Sequence, residues 1–245
     1  MSAEVWFTRL MLKRDDAAIA PLLQELAPAD SGAAMTTGHR LMWSVIPAET
    51  QALYDRASSK RPETAAFLWR EAETGRKFYL LGPRPLDHSP FFCIETKPYV
   101  PEFRPGDRLA FDLRVNATVA RKGNVDARGR SRRSDVAMDR MRADEAAGAD
   151  IAGRAERRLN AAQSAAAEWL LRIGERDGFA LKALRLEAYR VETLPRRGRD
   201  ADIGVSDVRG MLEVTDDKRF LTRVLAGFGR AKAFGCGLML LRRAP

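Results

Sequence analysis

FALKALRLEAYRV at 179–191, GVSDVRGMLEVT at 204–215, DDKRFLTRVLAG at 216–227 and LMLL at 238–241 decide the fold. The first two read as strands, rich in branched and aliphatic residues, and the Pro- and Arg-rich PRRGRDAD at 195–202 between them is too polar to be core. They form a hairpin. Thr215 or Asp216 then caps a helix that runs to Gly227, a Gly-rich loop follows, and the chain returns as a last strand at Leu238–Leu241. Working outward, Leu159, Ala162, Ala166, Trp169 and Ile173 recur at steps of three and four, which predicts an amphipathic helix from about Ala155 to Gly174, closed by Gly174 and Gly178. Further upstream, Leu109, Phe111, Leu113 and Val115 alternate with Ala110, Asp112, Arg114 and Asn116, the period of a half-buried strand. The order is βαββαβ, the ferredoxin-like split βαβ arrangement.

The N-terminal half fits that order less cleanly. Val5–Lys13 reads as a strand, helical signals run from Asp15 to about Leu26 and from about Gly38 to Ile46, and AAFLWRE, KFYLLGP and FFCIETK are three strand candidates. A second helix is missing. The expected architecture is therefore α+β, two tandem ferredoxin-like (βαββαβ) domains with the N-terminal one degenerate. The expected boundaries are residues 1–97 and 108–245, joined by a Pro-rich linker, 98–107, that carries Pro98, Pro101 and Pro105 and ends in a Pro-Gly turn. At 245 residues the chain exceeds a typical domain of ~100 to 150, which agrees with two.

A hydrophobic fraction of 45% with 31% charged residues is that of a globular protein, and no apolar run approaches the ~20 residues of a membrane span. The N-terminus lacks the basic-then-apolar order of a signal peptide, so a cytoplasmic location is expected. Cys93 and Cys236 sit in apolar or Gly-rich surroundings and suggest neither a disulfide nor zinc. The net charge of +9 favours a polyanionic partner, and it is clustered. Arg114, Arg121, Lys122, Arg128, Arg130, Arg132 and Arg133 face one acid, Asp126, in the same stretch, and Lys218 to the C-terminus holds seven basic residues and no acid. Two such runs in one half point to nucleic acid, although either alone could be a solvated face.

The outward positions of strand 109–116 supply no aromatic platform for bases, so phosphates of a structured RNA are the more natural target than a single strand stacked on a sheet. GFGRAKAFGCGL at 227–238 resembles a dinucleotide fingerprint only superficially, because it leaves a helix and enters a strand and has Lys232 at the third glycine position. Gly227, Gly229, Gly235 and Gly237 would instead let backbone approach a phosphodiester, with Arg230 and Lys232 adding charge. A helix cap with a tight packing turn is the alternative. Asp135 and Asp139 lie at i and i+4, but interleaved Arg140 and Arg142 favour a salt-bridged surface over an ion site.

GHRLMW at 38–43, FLWRE at 67–71, FDLRVNATVARK at 111–122, SDVAMD at 134–139 and GFGRAKAFGCGLMLL at 227–241 resemble the CasE family, in register over most of the chain. These are CRISPR-RNA processing endoribonucleases of type I-E systems, within the repeat-associated RAMP superfamily. The resemblance implies two tandem ferredoxin-like domains, binding of a precursor CRISPR RNA repeat hairpin, cleavage at the base of its stem, no cofactor, and membership with other subunits in the type I-E surveillance complex. It places the catalytic histidine at His39, followed by Arg40, and a basic hairpin that enters the RNA groove at Arg196, Arg197 and Arg199, where a solvated loop is the alternative. Some members carry a tyrosine three residues before that histidine, where this chain has Thr36.

The chemistry can be stated without the family. RNA cleavage that uses no metal needs the 2′-hydroxyl deprotonated, the nonbridging oxygens stabilised and the departing 5′-oxygen protonated. Histidine suits the proton transfers, and there are two: His39, beside Arg40, and His88, between prolines and more natural as a turn residue. The ordinary reading of His39 is a helix residue packing near Trp43. The expected function is a metal-independent endoribonuclease leaving 5′-hydroxyl and 2′,3′-cyclic phosphate ends. The competing reading is a noncatalytic RNA-binding subunit of the same complex.

Overall fold

The computed structural model describes residues 4–56, 65–125, 129, 131–146, 154–195 and 200–244. In the N-terminal half β1 (Trp6–Leu12) is the second strand from one edge of an antiparallel sheet. It pairs with β3 (Lys77–Gly82) on one side and β4 (Phe92–Pro98) on the other, with β2 (Leu68–Glu73) added to β3, giving the order β2-β3-β1-β4. In β1 the pleat turns Leu10 and Leu12 inward, where they meet Trp69, Phe78, Leu80 and Phe92 from the other strands. Helix α2 (Ser31–Trp43) covers this face through Leu41 and Met42, and Val45 and Ile46 complete the core just after it. Helix α3 (Ala48–Arg56) follows.

The strand expectations for this half hold; the helical ones shift. Between Asp15 and Leu26 only a short 3-10 turn, Ala20–Leu22, and α1 (Leu23–Leu26) form, because Pro21 sits at the start and Pro28 follows closely. Instead of beginning near Gly38, α2 begins at Ser31, where the Asp30 carboxylate accepts the Ala33 amide at 2.7 Å. Between β3 and β4, where a complete ferredoxin-like domain has its second helix, residues 83–91 form no helix.

The C-terminal sheet repeats the order. β10 (Met239–Arg243), β5 (Arg108–Val115), β9 (Ala201–Val214) and β8 (Phe179–Leu194) lie antiparallel as β10-β5-β9-β8, with α5 (Arg154–Asp177) and α6 (Asp217–Ala226) on one face. The core there is Leu109, Phe111, Leu113 and Val115 against Trp169, Leu170, Phe179, Phe220, Val224 and Phe228. Asp216 caps α6 by accepting the Arg219 amide at 2.9 Å. The buried stripe of α5 differs from the expected one: Leu159 is half exposed, and Ala161, Ala162, Ala165 and Ala166 face inward with Trp169 and Leu170. Small side chains let this helix lie close to the sheet. The polar stretch after β5 holds elements the sequence does not announce, a hairpin of β6 (Thr118–Val125) and β7 (Ser131–Asp135) and then α4 (Val136–Ala146).

Between β4 and β5, Tyr99 and Phe103 pack against their surroundings while Val100 is exposed. The Tyr99 amide donates to Val5, burial pushes the Tyr99 phenol up to about 12, and the Phe103 ring lies 4.9 Å from that of Phe220. Leu68 and Leu81 of the first sheet meet Leu238, just before β10, with Phe7, Tyr79 and Leu240 around them, so apolar surface continues from one half into the other.

Candidate active site and nucleic-acid interface

Helix α2 has a poor helical sequence, with Gly32, Thr36, Thr37 and Gly38 in thirteen residues. Packing compensates. Met35 is buried with Leu194 of β8, Val205 of β9 and Cys236 of the Gly-rich loop, with Ile203, Ala231 and Phe234 around them. The Ser31 hydroxyl donates to the Glu192 carboxylate, and a Cβ on Gly32 would meet the Thr193 carbonyl. The first half of α2 is thus seated on the loop end of the β8–β9 hairpin.

His39 lies in the second half of α2, half buried among aromatic rings, 5.8 Å from the centroid of Phe67 and 6.1 Å edge-on to Trp43. The Trp43 indole N–H donates to His39 Nε2 at 3.1 Å, and Nδ1 is buried with no hydrogen-bond partner among the described residues. Nε2 is therefore an acceptor here, and the proton of the neutral ring sits on Nδ1. Burial lowers the imidazole pKa from its ordinary value, so the neutral form dominates at neutral pH. Arg40, the next residue, is exposed and forms no ion pair with another described residue. The Thr36 hydroxyl donates back to the Gly32 carbonyl at 3.1 Å. His88 is exposed in the β3–β4 connection.

The Gly-rich loop approaches α2 from the other domain. Trp69 of β2 donates its indole N–H to Ala233 at 3.2 Å, and its ring lies against Gly235 of the loop and Gly38 of α2. Gly227 is buried with φ +74, and a Cβ there would strike Leu68 at 2.6 Å. Gly229 lies on the backbone of Asn116, which bridges to Arg230. These packing contacts account for the positions of Gly227 and Gly229. On the same loop Arg230 is exposed. Lys232 is half buried, and burial, followed by the charge of Arg223, lowers its pKa.

The other predicted arginines are dispersed. Arg114 is half buried and forms an ion pair with Asp207 at 2.8 Å; burial opposes its charge, and the hydrogen bond and charge of Asp207 more than offset that. Arg190 binds the same carboxylate at 2.7 Å. Arg121 is exposed on β6 and grips Asp139 through two bonds of 2.7 Å. Arg133 is exposed on β7. Lys122 and Arg132 belong to β6 and β7, but their side chains, with all of Arg128, Arg130, Arg196, Arg197 and Arg199, lie outside the described residues. The two acids weighed as an ion site are otherwise engaged. Asp135 caps α4 and accepts the Tyr189 hydroxyl at 2.8 Å, while Asp139 holds Arg121. Cys236 is fully buried, which pushes its thiol up to about 12, so it is no nucleophile at neutral pH.

A family model described as CRISPR associated protein matches residues 5–243. The chain belongs to the CRISPR-associated protein family. No curated protein matches it. Among solved structures it is similar to a CRISPR endoribonuclease Cse3 bound to 19 nt RNA, with a TM-score of 0.63 at 22% identity over 98% of this chain and 100% of that one. It is also similar to Cas6e from Escherichia coli K-12, with a TM-score of 0.57 at 17% identity over 98% and 100% of the two chains. A chain of a CRISPR RNA-guided surveillance complex gives a TM-score of 0.58 at 16% identity with the same coverage. At these identities what is shared is the fold.

Within this CRISPR-associated fold, two residues of the site escape sequence reasoning. Trp43 is the neighbour expected of His39, whereas nothing in the sequence singles out Trp69 within FLWRE. Arg70, next to Trp69, is 9% exposed at its side chain and reaches Asp112 of the second sheet at 2.6 Å. Asp112 also binds Arg209 at 2.9 Å, so the sheet face opposite α5 and α6 carries a lattice of ion pairs and no aromatic platform. Removing Asp112 would leave the Arg70 charge buried without its partner, whose loss typically costs several kcal/mol. The visible signal was FLWRE, a charged residue after a run of large apolar ones.

Proposed function

We propose that the chain is a metal-independent endoribonuclease that binds CRISPR repeat stem-loops and cleaves precursor CRISPR RNA at the base of the stem. The observation that carries this is the seating of the His39–Arg40 pair on a helix held between the loop end of the β8–β9 hairpin and the Gly-rich loop. A hairpin RNA held by basic groups of the second domain would then lie against one proton-transfer group of the first. His39, kept neutral by burial, removes the proton from the 2′-hydroxyl as that oxygen attacks phosphorus. The P–O5′ bond breaks, the departing 5′-oxygen takes a proton from solvent water, and His39 returns its proton to solvent to become neutral again. Arg40 offsets the charge on the nonbridging oxygens. The products are a 5′-hydroxyl and a 2′,3′-cyclic phosphate. The protein keeps the processed RNA within a surveillance complex, a reading supported by the likeness to Cse3 bound to RNA and to a surveillance-complex chain, and it does so in the cytoplasm.

One observation favours a second reading, a noncatalytic RNA-binding subunit. Nε2 of His39 is engaged by Trp43 and Nδ1 is buried, as in a merely packed histidine. On the first reading, bound RNA replaces the Trp43 contact. Cleavage of purified repeat hairpin RNA in excess chelator separates the two. The catalytic reading expects cleavage at the rate seen without chelator. Intact RNA in both conditions supports the binding subunit, and loss of cleavage with rescue by magnesium overturns the mechanism.

A further inference from the structure

We propose that Trp69 is a positioning residue for His39, a wedge across the two domains that sets the spacing of α2 from the Gly-rich loop. This rests on the catalytic reading of His39. Trp69 is 2% exposed and stands on β2, and the outer atoms of its six-membered ring meet two glycines, Gly38 and Gly235. A Cβ on Gly38 would lie 2.3 Å from Cη2 and 2.8 Å from Cζ3; one on Gly235 would lie 3.2 and 3.3 Å from the same atoms. The same ring edge therefore touches the helix and the loop, and each surface has had its side chain removed where the ring meets it.

The wedge is fixed at its other positions. The indole N–H holds Ala233 at 3.2 Å, and the next residue, Arg70, reaches across to Asp112 at 2.6 Å. Gly235, with φ +75, ends the Lys232–Phe234 turn, so the loop cannot readily take a bulkier residue there. His39 directly follows Gly38, and successive residues of a helix point about 100° apart. A shift at Gly38 therefore tilts or turns the His39 ring, while the loop bearing Arg230 and Lys232 stays on the second domain. Trp69 thus keeps the proton-transfer group in register with RNA held by that domain. Misplacement of a reacting group by about 1 Å can cost ~10²-fold in rate.

The test is a suppression cycle in the full chain. Gly38→Ala is expected to slow single-turnover cleavage of repeat hairpin RNA by roughly 10- to 10²-fold with hairpin affinity nearly unchanged. Adding Trp69→Phe, which removes the outer ring atoms that the new methyl strikes, is expected to restore most of the rate. Gly38→Ala cutting at the wild-type rate, or losing affinity and rate in equal measure, overturns the proposal. So does a double variant that regains its circular dichroism and melting point without regaining its rate. The catalytic reading fails separately, if His39→Ala cleaves normally; inactive His39→Ala beside fully active Gly38→Ala sinks the wedge alone.

Discussion

His39→Ala is expected to slow single-turnover cleavage of the repeat hairpin by ~10²- to 10⁴-fold, the usual worth of general acid–base catalysis, while hairpin affinity stays nearly the same. The two separate because affinity is assigned to basic and backbone groups of the second domain and proton transfer to one side chain of the first. His88→Ala, at an exposed site in the β3–β4 connection, serves as the control and should cleave normally. The wild-type pH profile carries the same signature. A base must be neutral to act, and burial lowers the pKa of His39, so the rate should rise with pH through a value below ~6.5 and then level off. His39→Ala cutting at the wild-type rate would contradict the assignment. Circular dichroism distinguishes lost chemistry from a lost fold.

The second large effect is on binding. Affinity for the hairpin should fall steeply with salt, with each neutralised phosphate adding roughly 0.7 to 0.9 to the slope of log affinity against log salt. Replacing Arg196, Arg197 and Arg199 together with glutamine should flatten that slope by about 2 to 3, and should weaken binding more than it slows cleavage of bound RNA. The loop end of the hairpin lies beside the histidine helix, where Leu194 and Val205 are buried with Met35. A flat salt response, or unchanged affinity in the triple variant, would return these arginines to a solvated loop.

Much of the second domain was legible because its signals are local. The alternation of Leu109 to Asn116, the Asp216 cap and the Gly227 stop each act within a few residues, and they gave both the elements and their order. The β6–β7 hairpin and α4 were hidden because basic residues interrupt any alternation. The start of α2 was hidden for another reason. Ser31 to Thr37 is weakly helical, and contacts with Leu194, Val205 and Cys236, distant in sequence, hold it. The site divides along the same line. His39 and Arg40 could be singled out by residue type and by resemblance. Arg114 read as a free cation, yet Asp207 holds it, because ion pairing between β5 and β9 depends on a register that no single strand reveals. Trp69 needed three elements to converge before its two facing glycines had meaning.

The most direct test of the central claim is the chemistry of the ends that the purified chain leaves on repeat hairpin RNA. Attack by the 2′-hydroxyl predicts a downstream fragment whose 5′-hydroxyl accepts a kinase label without phosphatase treatment, and an upstream fragment ending in a 2′,3′-cyclic phosphate. A 5′-phosphate with a free 3′-hydroxyl, the outcome of attack by water on the other side of the phosphodiester, would contradict it.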